Sequence, residues 1–275
     1  MKTIGRLTGK MEKEIEVEAK QSISKIIAGN QNGKKKLTEL AKNENYFVRK
    51  NVGKIMAYTD SKIIREIAEE FLNSDIYAIR ATAVYYFYYL YEKEPEKLFP
   101  ILSDKYDTVR WEVEDIVNKL WETNPEFMKK SMRSWTKSDN PEKRAFSFHG
   151  MESLASEDPQ YVMELINELI DDESIIVQKK ITHILTQVAR YRPADVYPHL
   201  KEWLKTANEK KIKTIWVSMK KLATLLNHQG RKANSREFVH LTKETIYDWK
   251  NDNNPNVAKI GEKLFHIISR RIRYK

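Results

Sequence analysis

The chain has 275 residues, no cysteine, and only 8 glycines and 8 prolines. So few turn formers argue against many-stranded sandwiches and barrels, and the missing thiol excludes disulfide scaffolds, thiolate metal sites, iron–sulfur clusters and a Cys nucleophile. The net charge is +10, but the surplus is local: residues 201–275 hold 18 basic and 7 acidic side chains, while residues 1–200 are close to balance.

From the N-terminus, residues 1–11 read as a flexible leader with basic side chains and no apolar segment behind them. The longest apolar stretch, around Ala83–Leu90, is far short of the roughly 20 residues that a membrane span needs. The expectation is a soluble, cytoplasmic monomer, nucleoid-associated if it binds DNA. A single domain is expected over 12–275, with 201–275 as its basic part.

Helical periodicity begins at once. Ile15, Ala19, Ile23, Ile26 and Ile27 recur at three and four, and Gly29-Asn30 stops that run. Segments of helical length follow, separated by polar breaks near Asn43–Asn45, Asn73–Asp75, Asp104–Asp107, Ser138–Pro141 and Asp171–Ser174, among others. Asp, Asn and Ser in these breaks suit N-caps, and Pro125, Pro141, Pro159 and Pro193 suit first helical turns. No alternating strand pattern of comparable length competes. The chain reads as all-α, with roughly fourteen helices.

The breaks recur at a fixed interval. Anchor residues Arg49, Arg80, Arg110, Arg144 and Gln178 each follow a polar cap and precede an amphipathic run. Counting from each anchor, positions +3, +6 and +7 are mostly apolar, as in Val52/Ile55/Met56 and Val113/Ile116/Val117. The fourth repeat gives Ser147, Gly150 and Met151 there. A cap, an anchor and an amphipathic helix at this period resemble the second helix of a HEAT repeat. Stacked repeats of that kind form a curved α-solenoid whose second helices line a concave groove.

Positions +1 and +5 share one helix face outside the apolar set. They read Lys50/Lys54, Ala81/Tyr85, Trp111/Asp115, Ala145/His149 and Lys179/His183. The strip is neutral to basic, except that the third repeat joins a Trp to the only carboxylate in its column. Trp111 is either half buried between repeats or turned into the groove. Asp115 is either a solvated carboxylate paired with Arg110 or Lys119, or the partner of Trp111 in attracting a cation.

The stretch from Trp111 to Trp203 resembles the HEAT-like DNA alkylation repair glycosylases. Trp111-x-x-x-Asp115 matches the family's catalytic Trp and Asp, and Asn140-x-x-x-Arg144-Ala145 matches a segment whose Arg grips the DNA backbone. Val177–Leu185, followed by Arg190, Pro193 and Val196, resembles a third motif, with His183 where a second groove Trp is expected and Thr186 where an Arg is expected. The resemblance implies a double-stranded DNA partner, alkylated or distorted, and hydrolysis of the N-glycosidic bond of cationic purines such as 3-methyladenine or 7-methylguanine. It implies that Asp115 stabilises the sugar cation, Trp111 contacts sugar and lesion, and Arg144 holds a phosphate. His183, His149, Tyr85, Lys179, Lys50 and Lys54 would complete the DNA-binding face, Tyr85 by stacking on a nucleotide.

No metal or other cofactor is expected. His149 and His183 stand one repeat apart, about 10 Å, too far to share one ion. No Gly-x-Ser-x-Gly and no phosphate-binding Gly-rich loop occurs. Lys210, Lys211, Lys213, Lys220, Lys221, Arg231, Lys232, Arg236 and the tail Arg270–Lys275 are either a solvated face or a phosphate-tracking arm. The competing functions are a non-catalytic binder of damaged or branched DNA, and a protein-binding HEAT scaffold.

Overall fold

The computed structural model describes residues 6–152, 154–226 and 235–269. Among these residues there are sixteen helices and no strand. The fold is an all-α helical repeat. After α1 (Gly9–Ile27) the helices come in pairs: α2 (Gln31–Ala41) with α3 (Tyr46–Tyr58), α4 (Lys62–Leu72) with α5 (Tyr77–Leu90), and α6 (Pro95–Lys105) with α7 (Arg110–Thr123). Next come α8 (Pro125–Trp135), α9 (Pro141–Phe146) and α10 (Leu154–Glu157), then α11 (Pro159–Leu169) with α12 (Ile175–Tyr191), α13 (Pro193–Lys205) with α14 (Glu209–Leu225), and α15 (Arg236–Lys250) with α16 (Pro255–Ser269). No helix among the described residues is long and apolar enough to cross a membrane.

The helix ends follow the polar breaks. Asn30, Asn45, Ser61, Asn140, Asp158, Asn208 and Ser235 each accept a bond from a first-turn amide of the helix they precede. Pro125, Pro141, Pro159 and Pro193 are each the first helical residue, where a missing N–H is harmless. Helix α1 starts at Gly9, capped by Thr8, inside the stretch read from sequence as a flexible leader.

Helix contacts group the chain into two compact units, Met1–Met128 and Lys129–Lys275. The helix expected after Arg144 stops at Phe146, and residues 147–150 form a turn that ends on Gly150 at φ +74, a left-handed conformation that suits glycine. Ser147 and Met151 are still buried, so the apolar set survives while the helix does not.

The anchors prove to be punctuation. Arg49 donates to the Asn43 carbonyl, Arg80 to Ser74, Arg144 to Ser138 and Gln178 to Asp172, each six residues back. Each anchor thereby satisfies a carbonyl in the connection that its own helix leaves. Arg110 lies over the Tyr106 ring and pairs with Glu114.

In the first unit, α3 and α5 approach closely at Gly53. A Cβ there would stand 2.6 Å from the Thr82 carbonyl oxygen and 2.9 Å from the Tyr86 nitrogen, both backbone atoms that cannot swing aside. Below the two helices, Arg49 and Glu112 form a buried pair at 3.0 Å, with side chains 5% and 1% exposed. The Tyr77 hydroxyl donates to the second Glu112 oxygen at 2.6 Å.

Gly53→Ala is expected to destabilise by roughly 2 kcal/mol of overpacking, which outweighs the better helix propensity of alanine. Gly9→Ala, which meets nothing within 4 Å, is the control. Thermal unfolding should show the first midpoint falling by several degrees and the second unchanged.

Candidate functional site

The site lies on α7. Trp111 and Asp115 are one turn apart, and both project from the face that Glu112 does not bury. Trp111 is 66% exposed, so it belongs to no inter-repeat core. Asp115 is 31% exposed and is gripped from three helices. The Tyr46 hydroxyl donates to Oδ2 at 2.6 Å, the Lys119 ammonium at 2.9 Å, the Tyr85 hydroxyl at 3.1 Å and the Lys50 ammonium at 3.3 Å. All four bonds fall on Oδ2. Among the described residues none falls on Oδ1.

The sequence folds this way because the contributing side chains recur every fourth residue. Helix α3 carries Tyr46, Lys50, Lys54 and Tyr58; α5 carries Tyr77, Ala81, Tyr85 and Tyr89; α7 carries Trp111, Asp115 and Lys119. Each set forms a stripe along one helix. Gly53 draws α3 against α5, so Lys50 sits over the rings of Tyr46 and Tyr85 at 5.5 and 5.6 Å. Lys54 lies similarly over Tyr58 and Tyr89, and Lys119 over Tyr88.

The electrostatics are asymmetric. Burial by itself would raise the Asp115 pKa, but the Tyr46 hydroxyl, Lys119 and Lys50 overcome it and hold the carboxyl at about 2. Asp115 is therefore ionised throughout the physiological range. Tyr46 and Tyr85 are pushed above the ordinary phenol range, by burial first and then by the carboxylate, so both remain hydroxyl donors. Burial, with Lys119 beside it, lowers the Lys50 pKa. Two ammoniums thus face one carboxylate.

Several expected site residues lie elsewhere or are already engaged. Tyr85 is fully buried: its hydroxyl reaches Asp115, but its ring is closed to a stacking nucleotide. Arg144 forms a two-pronged pair with Asp172, at 2.7 and 3.2 Å, and donates to the carbonyls of Ser138 and Asp139. Its side chain is only 19% exposed, so as it stands it staples adjacent repeats and offers no free fork to a phosphate. His149 lies on the turn after α9, stacked on Phe146 at 4.7 Å, and not on the helical column assigned to it. His183 and Lys179 are exposed on α12, with His183 3.7 Å from Glu152. Of the basic C-terminal set, Lys210 and Lys211 pair with Glu173 and Asp171, while Arg231, Lys232 and Arg270–Lys275 lie outside the described residues.

Tyr46 had no place in the sequence reading, and Lys119 entered it only as an alternative ion-pair partner. Extending the +1/+5 column one turn either way, to −3 and +9, finds Tyr46, Tyr58, Tyr89 and Lys119. Among the described residues no group of three or more His, Asp or Glu could hold a metal ion.

The family model described as DNA alkylation repair enzyme matches residues 48–222, more than half of the chain. The protein belongs to the DNA alkylation repair enzyme family. That membership assigns it a role in DNA repair, and the matched span contains Lys50, Trp111, Asp115 and Lys119. Among solved structures, smu.31 from Streptococcus mutans UA159 is similar, with 22% identity over 60% of this chain and 89% of that one, at a TM-score of 0.46. No curated protein matches.

Asp115→Asn should expose the carboxylate's contribution to stability. A carboxyl whose folded pKa is depressed stabilises above its unfolded pKa, near 4, and the stabilisation fades as pH falls toward the folded value of about 2. The difference in thermal midpoint between wild type and Asp115→Asn is expected to stay constant from pH 8 to pH 5, and to narrow steadily below pH 4.

Proposed function

We propose that the protein hydrolyses the N-glycosidic bond of cationic alkylated purines in double-stranded DNA. The observation that carries this reading is a fixed, ionised carboxylate one turn from an exposed tryptophan, in a member of a DNA alkylation repair family.

The chemistry follows from charge. When the C1′–N bond of an alkylated purine breaks, its electron pair neutralises the departing base, so no strong acid is needed. The sugar left behind acquires oxocarbenium character, and a preorganised anion stabilises it. Asp115 supplies that anion. With a pKa of about 2 it is a poor proton acceptor, so its role is electrostatic and orienting. Water adds at C1′ and releases its proton to solvent. Oδ2 is occupied by four donors, which leaves Oδ1 to face the sugar or the water. Trp111 offers an indole face to sugar and cationic base.

A second reading is favoured by one specific feature. Lys50 and Lys119 oppose the carboxylate with two ammoniums, and His183 stands where the family resemblance expects a second groove tryptophan. An anion-seeking site of this kind suits a DNA binder without hydrolysis.

Release of methylated purine from alkylated duplex separates the two. The glycosylase reading expects wild-type release well above the spontaneous rate, a fall of roughly 100-fold or more in Asp115→Asn, and duplex affinity retained within a few-fold. Release indistinguishable from background in wild type would sink it and leave the binder.

A further inference from the structure

The three lysines of the α3–α5–α7 stripes are not used alike. Lys50 and Lys119 both bond Asp115. Lys54 takes part in no salt bridge among the described residues; its contacts are ring faces, Tyr58 at 5.6 Å and Tyr89 at 5.7 Å. Tyr58 is 66% exposed, as open as Trp111, and its ring stands edge-on to Tyr89 at 6.2 Å. The edge contact fixes the ring's tilt and leaves a face free. Beside it runs a groove of about 500 Å³ between α1 and α3, lined by Glu12, Glu16, Lys20, Asn51, Lys54 and Tyr58. Glu16 is paired with Lys20 at 2.5 Å and feels Lys54 only through space, and Glu12 lines the same groove; Lys54 itself makes no direct ion pair there among the described residues.

These parts match one ligand chemistry. An exposed, braced aromatic face stacks on any base, an adjoining ammonium takes a phosphate, and Asn51 offers both donor and acceptor to a base edge. A fully paired duplex keeps its base faces inside the stack, so only an unpaired base can lie on Tyr58. Lys50 and Tyr58 are eight residues apart on α3, about 12 Å along the axis. That corresponds to three or four steps of stacked duplex from the level of Asp115.

We propose that Tyr58, braced by Tyr89 and served by Lys54, is a stacking platform for one unpaired nucleotide, a binding site apart from the Trp111–Asp115 pair. The protein then binds duplex carrying a single-nucleotide bulge more tightly than the same duplex fully paired. The inference rests on the DNA partnership in the reading above and is independent of bond hydrolysis.

The test is equilibrium binding of the full chain to unalkylated 20-mer duplex, fully paired or with one central bulged nucleotide, at two salt concentrations. Stacking on one base is worth about 1–3 kcal/mol, so wild type should prefer the bulged DNA by roughly 5- to 150-fold. Tyr58→Ala, at an exposed position, should fold normally and bring that ratio close to one, while Tyr58→Phe should retain it. Lys54→Gln should weaken both duplexes and flatten the salt dependence by about one phosphate contact. Equal wild-type affinity for the two duplexes, or equal weakening of both by Tyr58→Ala, overturns the platform alone. Absence of binding to either overturns the DNA partnership as well.

Discussion

The buried pair between Arg49 and Glu112 sets the geometry on which the site depends. Removing two charges from water costs several kcal/mol per ion, so such a pair persists only when further bonds complete it. Here Tyr77 donates to the second oxygen of Glu112, and the carbonyls of Asn43 and Glu44 take the remaining arm of Arg49. The pair ties α3 to α7 and fixes the rotation of α7 about its own axis. At about 100° per residue, Asp115 lies about 60° and Trp111 about 100° round from Glu112, on the same side. Once Glu112 is turned inward, Trp111 must face solvent and Asp115 must meet the stripe of α3.

The repeat architecture was legible because its signals are local. An Asx or Ser cap, a proline at a first turn and an apolar 3–4 spacing each act within a few residues; Pro125, Pro141, Pro159 and Pro193 sit where the sequence indicates, while α5, α7 and α12 begin after their polar breaks without a side-chain cap. The anchor column was equally legible, but as spacing without role. Arg49, Arg80, Arg144 and Gln178 recur because each helix entry leaves a carbonyl needing a donor six residues back. A requirement of folding thus produced the same arginine that the family resemblance assigns to a phosphate. The turn at 147–150, which ends on the left-handed Gly150, marks the opposite limit: periodicity extends the helix through it, but the helix ends at Phe146 and His149 leaves its column.

The site itself was half legible. Trp111 and Asp115 were visible as exceptions in an aligned column, because an aromatic–carboxylate pair stands out among lysines and alanines. What controls Asp115 was not visible, since it depends on how far apart three helices lie. Gly53 sets the closest of those approaches, and a glycine amid an amphipathic run does not by itself reveal which backbone it admits. Tyr85 illustrates the consequence. Its register suggests a ring turned into the groove for a nucleotide, yet α3 comes so near that the ring is sealed in and only the hydroxyl reaches Asp115.

The connections in the first unit are all short. Only residues 59–61 separate α3 from α4, 91–94 separate α5 from α6, and Asn124 alone separates α7 from α8. Segments of that length cannot fold over Trp111 and Asp115 as a lid. The connections of this unit therefore supply no moving roof with which to expel water, so in the glycosylase reading the substrate itself helps to dehydrate the reacting sugar. A long, stiff polymer laid across the helices can shield its own anomeric carbon, whereas a free nucleoside would leave it bathed in solvent. Discrimination between polymer and monomer then needs no recognition pocket, because it follows from which ligand is large enough to bring its own cover.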